Sequence, residues 1–495
     1  MRLLSCVQGL EYKIIKGDID NDVTGVAFDS REVKPGYIFV AVKGFKVDGH
    51  DYVKKAIENG ASTVIISRPI DIDYITHQAI IEVADTRVAL AYIASRYYGE
   101  PTKKMNVIGI TGTNGKTSIS YFIKSLLDTL SAKTGVIGTM GTWIGNQKID
   151  TPNTTPESLT LQQIASQMVE ADVEYCIMEV SSHALDLHRV SFCHFDSGIF
   201  TNLTPDHLEL HKDMTQYYRA KEKLFYMTEK TNIINIDDLY GKKMYDTLQE
   251  KSDVQCLSYG LKSNADVWAK DIEYTAEYSL YTAVTPQGEI PIRVNIPGEI
   301  YIYNTLAVVA WAISEGIEQK VISSGIEALK GVKGRFETVY QDNDYKVVVD
   351  FAHTEDGLEK ALDTLRQFVK GRLLLVFGVY AAPGLIGLDK RTAMGKVAAQ
   401  KSDFAFITSD NPKEQDPVQI IEDVVTSFKQ YSKNYVTVVD RKVAIEEALE
   451  SMKPGDVLLI AGKGHETSQV VGKEDIPFNE AEIVKSKMKV IRKDK

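Results

Sequence analysis

Val107-Ile108-Gly109-Ile110-Thr111-Gly112-Thr113-Asn114-Gly115-Lys116-Thr117 is an apolar run that breaks into a glycine turn, and its flanks decide the fold. The run over 107–110 reads as a buried strand. Residues 118–129 place Ile119, Phe122, Ile123, Leu126 and Leu127 on one helical face. A glycine-rich turn between strand and helix lets backbone N–H groups close round phosphate oxygens at the positive end of a helix dipole. Gly112, Thr113, Asn114 and Gly115 would form that cradle, with Lys116 reaching the β/γ-phosphates and the Thr117 hydroxyl ligating Mg²⁺. A strict P-loop has a glycine five positions before Gly115, where Ile110 stands, so this is a variant of the pattern. A purely structural glycine turn is the alternative; the strand and helix flanks favour an ATP site.

Composition sets the frame around that site. At 495 residues the chain predicts about three domains, each with its own core. Charged residues at 25% and hydrophobic ones at 44% describe an ordinary globular protein. The net charge of −11 argues against a nucleic-acid or anionic-membrane partner, so an anionic substrate must meet local arginines and lysines. Cys6, Cys176, Cys193 and Cys256 include no CxxC pair, which fits a reducing compartment better than a disulfide framework or zinc site. No basic segment leads into an apolar core at the N-terminus, and no run nears the roughly 20 apolar residues that cross a bilayer. A cytoplasmic protein is expected.

Outward from the loop, the pattern predicts three α/β units. Residues 1–100 alternate strands (25–28, 37–42, 62–66) with a helix over 52–59, and the Pro/Gly-bearing stretch 98–104 marks a boundary. Residues 101–330 hold strands over 107–110, 175–180, 198–202 and 232–236, with a β-rich insert over 254–296 that contains a hairpin at Pro286-Gln287-Gly288. After Gly331-Val332-Lys333-Gly334, residues 331–495 repeat strand and helix from 346 to 461. That cadence predicts a Rossmann-like, doubly wound, mostly parallel sheet.

Three clusters sit naturally beside Mg-ATP. Glu179, in Met178-Glu179-Val180-Ser181-Ser182-His183 at a strand end, is a carboxylate that could hold a hard cation or simply be solvated. His207 closes Thr201-Asn202-Leu203-Thr204-Pro205-Asp206-His207, where the carboxyl ends of parallel strands bind ligands, or it is a surface turn histidine. Lys221 lies in the helical stretch Tyr217-Tyr218-Arg219-Ala220-Lys221-Glu222-Lys223-Leu224-Phe225; spacing alone makes it a surface lysine.

Together with the phosphate loop, these clusters resemble the Mur ligases, and within them the synthetases that add the third residue of the peptidoglycan stem peptide. Asp29-Ser30-Arg31, Pro35-Gly36 and Asp48-Gly49-His50 are similar to that family's UDP-binding domain, and Asn153-Thr154-Thr155-Pro156 to its sugar-peptide loop. Gly334-Arg335-Phe336-Glu337 and Asp350-Phe351-Ala352-His353-Thr354 are similar to the start of its third domain. Asp410-Asn411-Pro412 and Gly462-Lys463-Gly464-His465-Glu466 resemble its amino-acid pocket, so the likeness spans almost the whole chain.

The resemblance implies roles. Lys116, Glu179, His207 and Lys221 would be the catalytic set; Thr117 and Glu179 would hold one Mg²⁺ and His207 a second. Lys221 would be carbamylated to N6-carboxylysine and help hold the second ion. Asn304 and Asp350 would contact the nucleoside of ATP and Arg335 its phosphates. Ser30 would touch the uridine diphosphate, while Asn153, Thr154, Thr155, Ser181 and Arg189 would hold the muramoyl peptide. Asp410, Asn411, Lys413, Gly462 and Glu466 would bind the amino acid. The partners implied are small molecules, a UDP-muramoyl dipeptide and a diamino acid, acted on by a monomer. The chemistry is coherent in itself. ATP turns a poor carboxylate electrophile into an acyl phosphate, cations neutralise the moving phosphoryl group, and a deprotonated amine displaces phosphate. Closing the third domain over the second would keep water from the acyl phosphate.

Three departures from the family pattern stand out. Ile300-Tyr301 replace a Phe-Asn pair ahead of Asn304, and Leu187 stands where some members have a polar residue. Where diaminopimelate-adding members carry Gly-Gly-Asp-Arg-Asp, this chain reads Gly378-Val379-Tyr380-Ala381-Ala382-Pro383-Gly384-Leu385-Ile386-Gly387-Leu388-Asp389, with no arginine. Lys413 offers a cation to a distal carboxylate, without arginine's bidentate fork, and Glu466 would pair a distal ammonium. The balance favours meso-diaminopimelate, with L-lysine or another acceptor as the alternative. Asp29-Ser30-Arg31 argues against a folylpolyglutamate synthase or cyanophycin-type ligase. The intact Lys116, Glu179, His207 and Lys221 argue against a non-catalytic nucleotide-binding paralogue.

Overall fold

Parallel strands that end in register set the edges where the expected site residues lie. The computed structural model describes every residue but Lys46, Ile72, 74–76, His207, Pro383 and 493–495. The described residues form sheets of five, eleven and six strands and one two-stranded hairpin. The five-stranded sheet runs in the order Lys13–Lys16, Ala79–Glu82, Thr63–Ile66, Tyr37–Val40, Gly25–Ala27. Only its first pair is antiparallel.

At the heart of the eleven-stranded sheet is β1 (Asn106–Thr111), which leads through the glycine turn into α1 (Lys116–Thr129). Ile119, Phe122, Ile123, Leu126 and Leu127 are all fully buried, as their spacing predicted. At about 1.5–3 kcal/mol per buried large apolar side chain, that stripe is enough to pin the helix to the sheet. β1 pairs in parallel with β2 (Tyr175–Glu179) on one side and β3 (Phe195–Phe200) on the other. Glu179 lies opposite Ile110 and Phe200 opposite Thr111, so three strands end together beside the turn. Beyond β3, α2 (Met214–Glu222) returns across this edge.

The region read as a β-rich insert is β-rich, and it joins the central sheet. Gln255–Gly260, Val267–Tyr274, Ser279–Thr285 and Gly288–Val294 extend the same sheet, the first two in parallel and the rest antiparallel. The hairpin lies where expected: Thr285 pairs with Gly288, leaving Pro286-Gln287 as a two-residue turn. The reason for continuity is burial on one face. Tyr281, Ala283, Ile290, Ile292 and Val294 alternate inward and share a core with α3 (Glu299–Ser314), whose Trp311 is fully buried.

The six-stranded sheet holds β4 (Lys346–Asp350), followed by α4 (Glu355–Arg366), β5 (Leu373–Phe377), α5 (Gly384–Lys401) and β6 (Phe404–Thr408). The late strand β7 (Val457–Ala461) inserts between β4 and β5, with Ala461 opposite both Asp350 and Phe377. Only Glu337–Gln341, on the outer edge, is antiparallel. α5 starts as early as Gly384, because the replaced loop folds into its first turns. Among the described residues, no helix is long and apolar enough to cross a membrane.

Candidate active site at the strand ends

The phosphate loop is shaped by its backbone. Gly112 and Gly115 have φ of +141° and +94°, where a side chain would be strained. A Cβ on Gly115 would stand 2.6 Å from Asn304 Oδ1, so Asn304 closes directly over the loop. The end of β3 braces the turn from behind. Asn114 N donates to Asn202 Oδ1 at 3.0 Å, while Asn202 Nδ2 and Thr201 Oγ1 donate to Asn114 O at 3.1 and 2.6 Å. These bracing roles of Thr201 and Asn202 have no signature in spacing.

Two ammonium groups meet at the loop. Lys116 Nζ donates to Gly112 O at 2.8 Å and Thr113 O at 2.9 Å; Lys221 Nζ donates to the same Gly112 O at 2.8 Å. Lys221 is not the surface lysine that spacing suggested. It is 1% exposed, because α2 turns Tyr217, Tyr218 and Lys221 inward as one face. Burial, then repulsion from Lys116, holds the Lys221 ammonium well below the usual lysine range. Burial likewise lowers Lys116, opposed by Glu179.

Glu179 is 1% exposed and answers these cations. Its Oε2 accepts from Thr117 Oγ1 and Thr139 Oγ1, each at 3.0 Å, and its Oε1 from Thr139 N at 3.1 Å. Arg335 Nη2 reaches Thr117 Oγ1 at 3.1 Å from the third sheet's side. A hydroxyl and a carboxylate oxygen within one hydrogen bond of each other are the hard donors Mg²⁺ takes, the remaining positions going to phosphate and water. The residues present therefore fit the ion. His207, expected on a second ion, lies outside the described residues.

Among the described residues, openings lie around this centre. One, of about 430 Å³, is lined by Asn202, Asp237, Tyr303 and Asn304, and a smaller one by Asn304, Arg335 and Asp350; Ile300 borders both. Asp350 Oδ2 accepts from Phe336 N at 2.6 Å, and burial raises its carboxyl against the pull of Arg335. Another opening, of about 560 Å³, joins Asp29, Ser30 and Arg31 to Glu157 and Arg189. From it a chain of contacts runs inward. Arg189 bonds Glu157 at 2.8 Å and Thr155 O at 3.1 Å, Thr155 Oγ1 donates to Glu179 O at 2.8 Å, and Ser181 N donates back to Thr155 Oγ1 at 3.1 Å. Thr154 Oγ1 lies 3.1 Å from Thr139 Oγ1, one step from the Glu179 carboxylate, while Asn153 is exposed.

The expected amino-acid residues gather at the ends of β6 and β7. Gly462 has φ of +120°, and a Cβ there would stand 2.6 Å from Asp410 Oδ2. Lys413 is exposed at φ +52°, its N–H bonded to Val470 O at 3.1 Å. Glu466 is already engaged: its Oε2 accepts from Lys463 Nζ at 2.6 Å and Asn411 Nδ2 at 3.1 Å. Beneath these loops Arg441 and Glu480 form a fully buried pair, with Arg441 also on Ala461 O at 2.8 Å. Sequence reading placed Lys463 in the pocket motif without a role and missed Arg441. It also missed a cation beside the replaced loop: Lys390, on α5, donates to Tyr380 Oη at 2.9 Å and reaches Asp206 Oδ1 at 3.3 Å. Asn114 Nδ2 bonds Asp356 Oδ2 at 2.9 Å across the same seam.

Known proteins match this arrangement over its whole length. The profile described as "Mur ligase family, catalytic domain" matches residues 22–98, "Mur ligase middle domain" 110–312, and "Mur ligase, glutamate ligase domain" 334–464. The chain is 44% identical over 483 residues to the UDP-N-acetylmuramoyl-L-alanyl-D-glutamate–2,6-diaminopimelate ligase of Clostridioides difficile, covering 98% of each. It is 43% identical over 485 residues to that of Caldanaerobacter subterraneus, again covering 98% of each. A solved structure of a ligase with the same description aligns over 99% of both chains at 27% identity, with a TM-score of 0.70. A MurF ligase from Thermotoga maritima in complex with ADP shares the fold at 18% identity and a TM-score of 0.61, over 90% of this chain and 94% of that one. By sequence along its length and by fold, the chain belongs to the Mur ligase family.

Proposed function

We propose that this chain is an ATP-dependent, ADP-forming ligase that joins meso-diaminopimelate to UDP-N-acetylmuramoyl-L-alanyl-D-glutamate in peptidoglycan precursor synthesis. The observation that carries the reading is the meeting of Lys116 and Lys221 on Gly112 O, beside the Thr117–Glu179 pair. Full-length relatives described as diaminopimelate ligases support the choice of substrates. In this reading residues 1–100 hold the UDP end, 101–330 the ATP and the muramoyl peptide, and 331–495 the amino acid.

ATP lies with its phosphates in the loop, its nucleoside near Asn304 and Asp350, and Arg335 on the phosphates. Thr117 and Glu179 would hold Mg²⁺ and His207 a second ion, which would supply charge neutralisation for the phosphoryl group. Lys116 leaves the loop carbonyls and follows the γ-phosphate as charge develops. The dipeptide's carboxylate oxygen attacks the γ-phosphorus, ADP departs and an acyl phosphate forms. Ser30 and the Asn153, Thr154, Thr155, Ser181 and Arg189 group hold that substrate in line. The acceptor amine, lying along Asp410, Asn411, Lys413, Gly462 and Glu466, loses a proton and attacks the acyl carbon, and phosphate leaves. Lys221 enters as its carbamate. Its burial favours the neutral amine, which adds CO₂ and releases a proton, so a buried cation becomes an anion suited to a metal. The protein works on small molecules in the cytoplasm, as a monomer.

The test is ADP release by the purified protein with ATP, Mg²⁺, the UDP-linked muramoyl dipeptide and, in turn, meso-diaminopimelate and L-lysine. The expected result is release with a lengthened peptide, strongest for meso-diaminopimelate. Release only with glutamate and a folate, or none with any acceptor, overturns the reading.

A further inference from the structure

Lys463 follows β7 and is 0% exposed, yet the reaction above gives it no task. A buried ammonium is tolerated only where other oxygens replace its water. Here Nζ donates to Glu466 Oε2 at 2.6 Å and Asn411 Oδ1 at 2.9 Å, while Asn411 Nδ2 donates to that same Glu466 oxygen at 3.1 Å. Three side chains thus form a closed ring. Asn411 Oδ1 also accepts from Val470 N at 3.0 Å, which ties the ring to the hairpin segment that holds Lys413 N–H. Glu466 keeps 33% of its side chain exposed, so the ring presents one carboxylate edge outward.

Two effects follow. A glutamate left to itself samples many rotamers, and the ring removes that cost before a ligand arrives. The ion pair also offsets the Glu466 charge, so the pocket does not present a full uncompensated anion. An acceptor whose far end is a lone ammonium gains most from a bare carboxylate. One whose far end carries ammonium and carboxylate together is suited to a compensated site facing Lys413. We infer that Lys463 is a positioning residue that sets acceptor specificity: it fixes Asn411 and Glu466 and lowers the pocket's preference for a net-positive amino acid. This rests on the proposed role of Asn411 and Glu466 as acceptor contacts. The neighbouring Arg441 differs in kind, since beyond Glu480 its bonds go to the backbone carbonyls of Ser409 and Ala461.

The experiment compares wild type, K463M and E466Q for KM and kcat with meso-diaminopimelate and L-lysine, alongside KM for ATP and for the UDP-linked dipeptide, and Tm. K463M is expected to raise KM for meso-diaminopimelate about tenfold, the scale of losing one charged hydrogen bond, and leave the other two KM values within about twofold. It should lower the ratio of kcat/KM for meso-diaminopimelate over L-lysine by about fivefold, because the anion is uncovered. E466Q uncovers the cation instead and should move that ratio upward. Opposite signs are something a merely structural lysine would not produce. An unchanged ratio in K463M, or a uniform rise in all KM values, overturns the inference. If K463M does not fold, E466Q decides alone: a ratio that stays or falls overturns it. Wild type without ADP release for any diamino acid removes the functional reading itself, whereas turnover with unaltered ratios removes only the role of Lys463.

Discussion

The phosphate loop and the acceptor pocket both lie at the ends of parallel strands, but they are built by opposite means. The loop is made of backbone: two left-handed glycines, a brace from Asn202, and two lysines resting on a main-chain carbonyl that they can leave. The pocket is made of side chains bonded to one another, with Lys463, Asn411 and Glu466 satisfied in place. Under the proposed function, chemistry shared by any ATP-driven ligation would sit where the main chain makes the site. Choice of amino acid would sit where side chains do, and side chains can be exchanged without refolding a turn. Damage to the first region should stop turnover; damage to the second should redirect it.

The sharpest test of that contrast is K116M, which removes the cation that follows the γ-phosphate. The expected loss in kcat is about a thousandfold or more with every acceptor alike, read as ADP release. An acceptor-dependent loss would break the division. K221Q should cost about a hundredfold, again regardless of acceptor. ¹³C NMR of the folded wild type at neutral pH in ¹³CO₂-enriched buffer should show one carbamate carbon, which the variant lacks; a fully active wild type without that signal would remove the carbamate from the mechanism.

How much of this was legible from residue order differs between the regions for the same reason. Strand, turn and helix around residues 107–129 are local, so spacing alone predicts them. Lys221 is another matter: nothing in its neighbourhood marks it as buried, and it becomes so only when α2 lays it against Gly112, 109 positions away. The Lys463–Asn411 bond spans 52 positions and has no period to betray it. Resemblance named the ligands Lys221 and Glu466 would take, but not the protein groups they touch. The strands over 254–296 were legible as alternating, but alternation reports which face is buried and not which sheet a strand joins.

Between the two regions lies His465, its ring tilted against Phe351 with centroids 4.9 Å apart. Burial, then Arg335 and Lys333, push its imidazole down from 6.5 to about 3. Between those values the unfolded chain binds the proton and the folded one does not, so stability rises with pH across that window and falls on acidification. From about pH 6.5 to about pH 5 the expected loss from this group is about 2 kcal/mol. Chemical denaturation of wild type and H465Q across that range checks it; equal slopes would refute the assignment. The smallest effect belongs to the rim. K413A should weaken meso-diaminopimelate about tenfold through KM and L-lysine hardly at all, since only the former brings a distal carboxylate. Equal losses for both would mean that Lys413 does not read charge.

The bonds from Asn114 to Asp356 and from Arg335 to Thr117 join partners 242 and 218 positions apart, directly over the cradle. They tie the third sheet's side to the phosphate loop, so any opening that separates the two must part both bonds. Weakening either one should hasten departure of the used nucleotide, even as it leaves the reactive intermediate less well guarded.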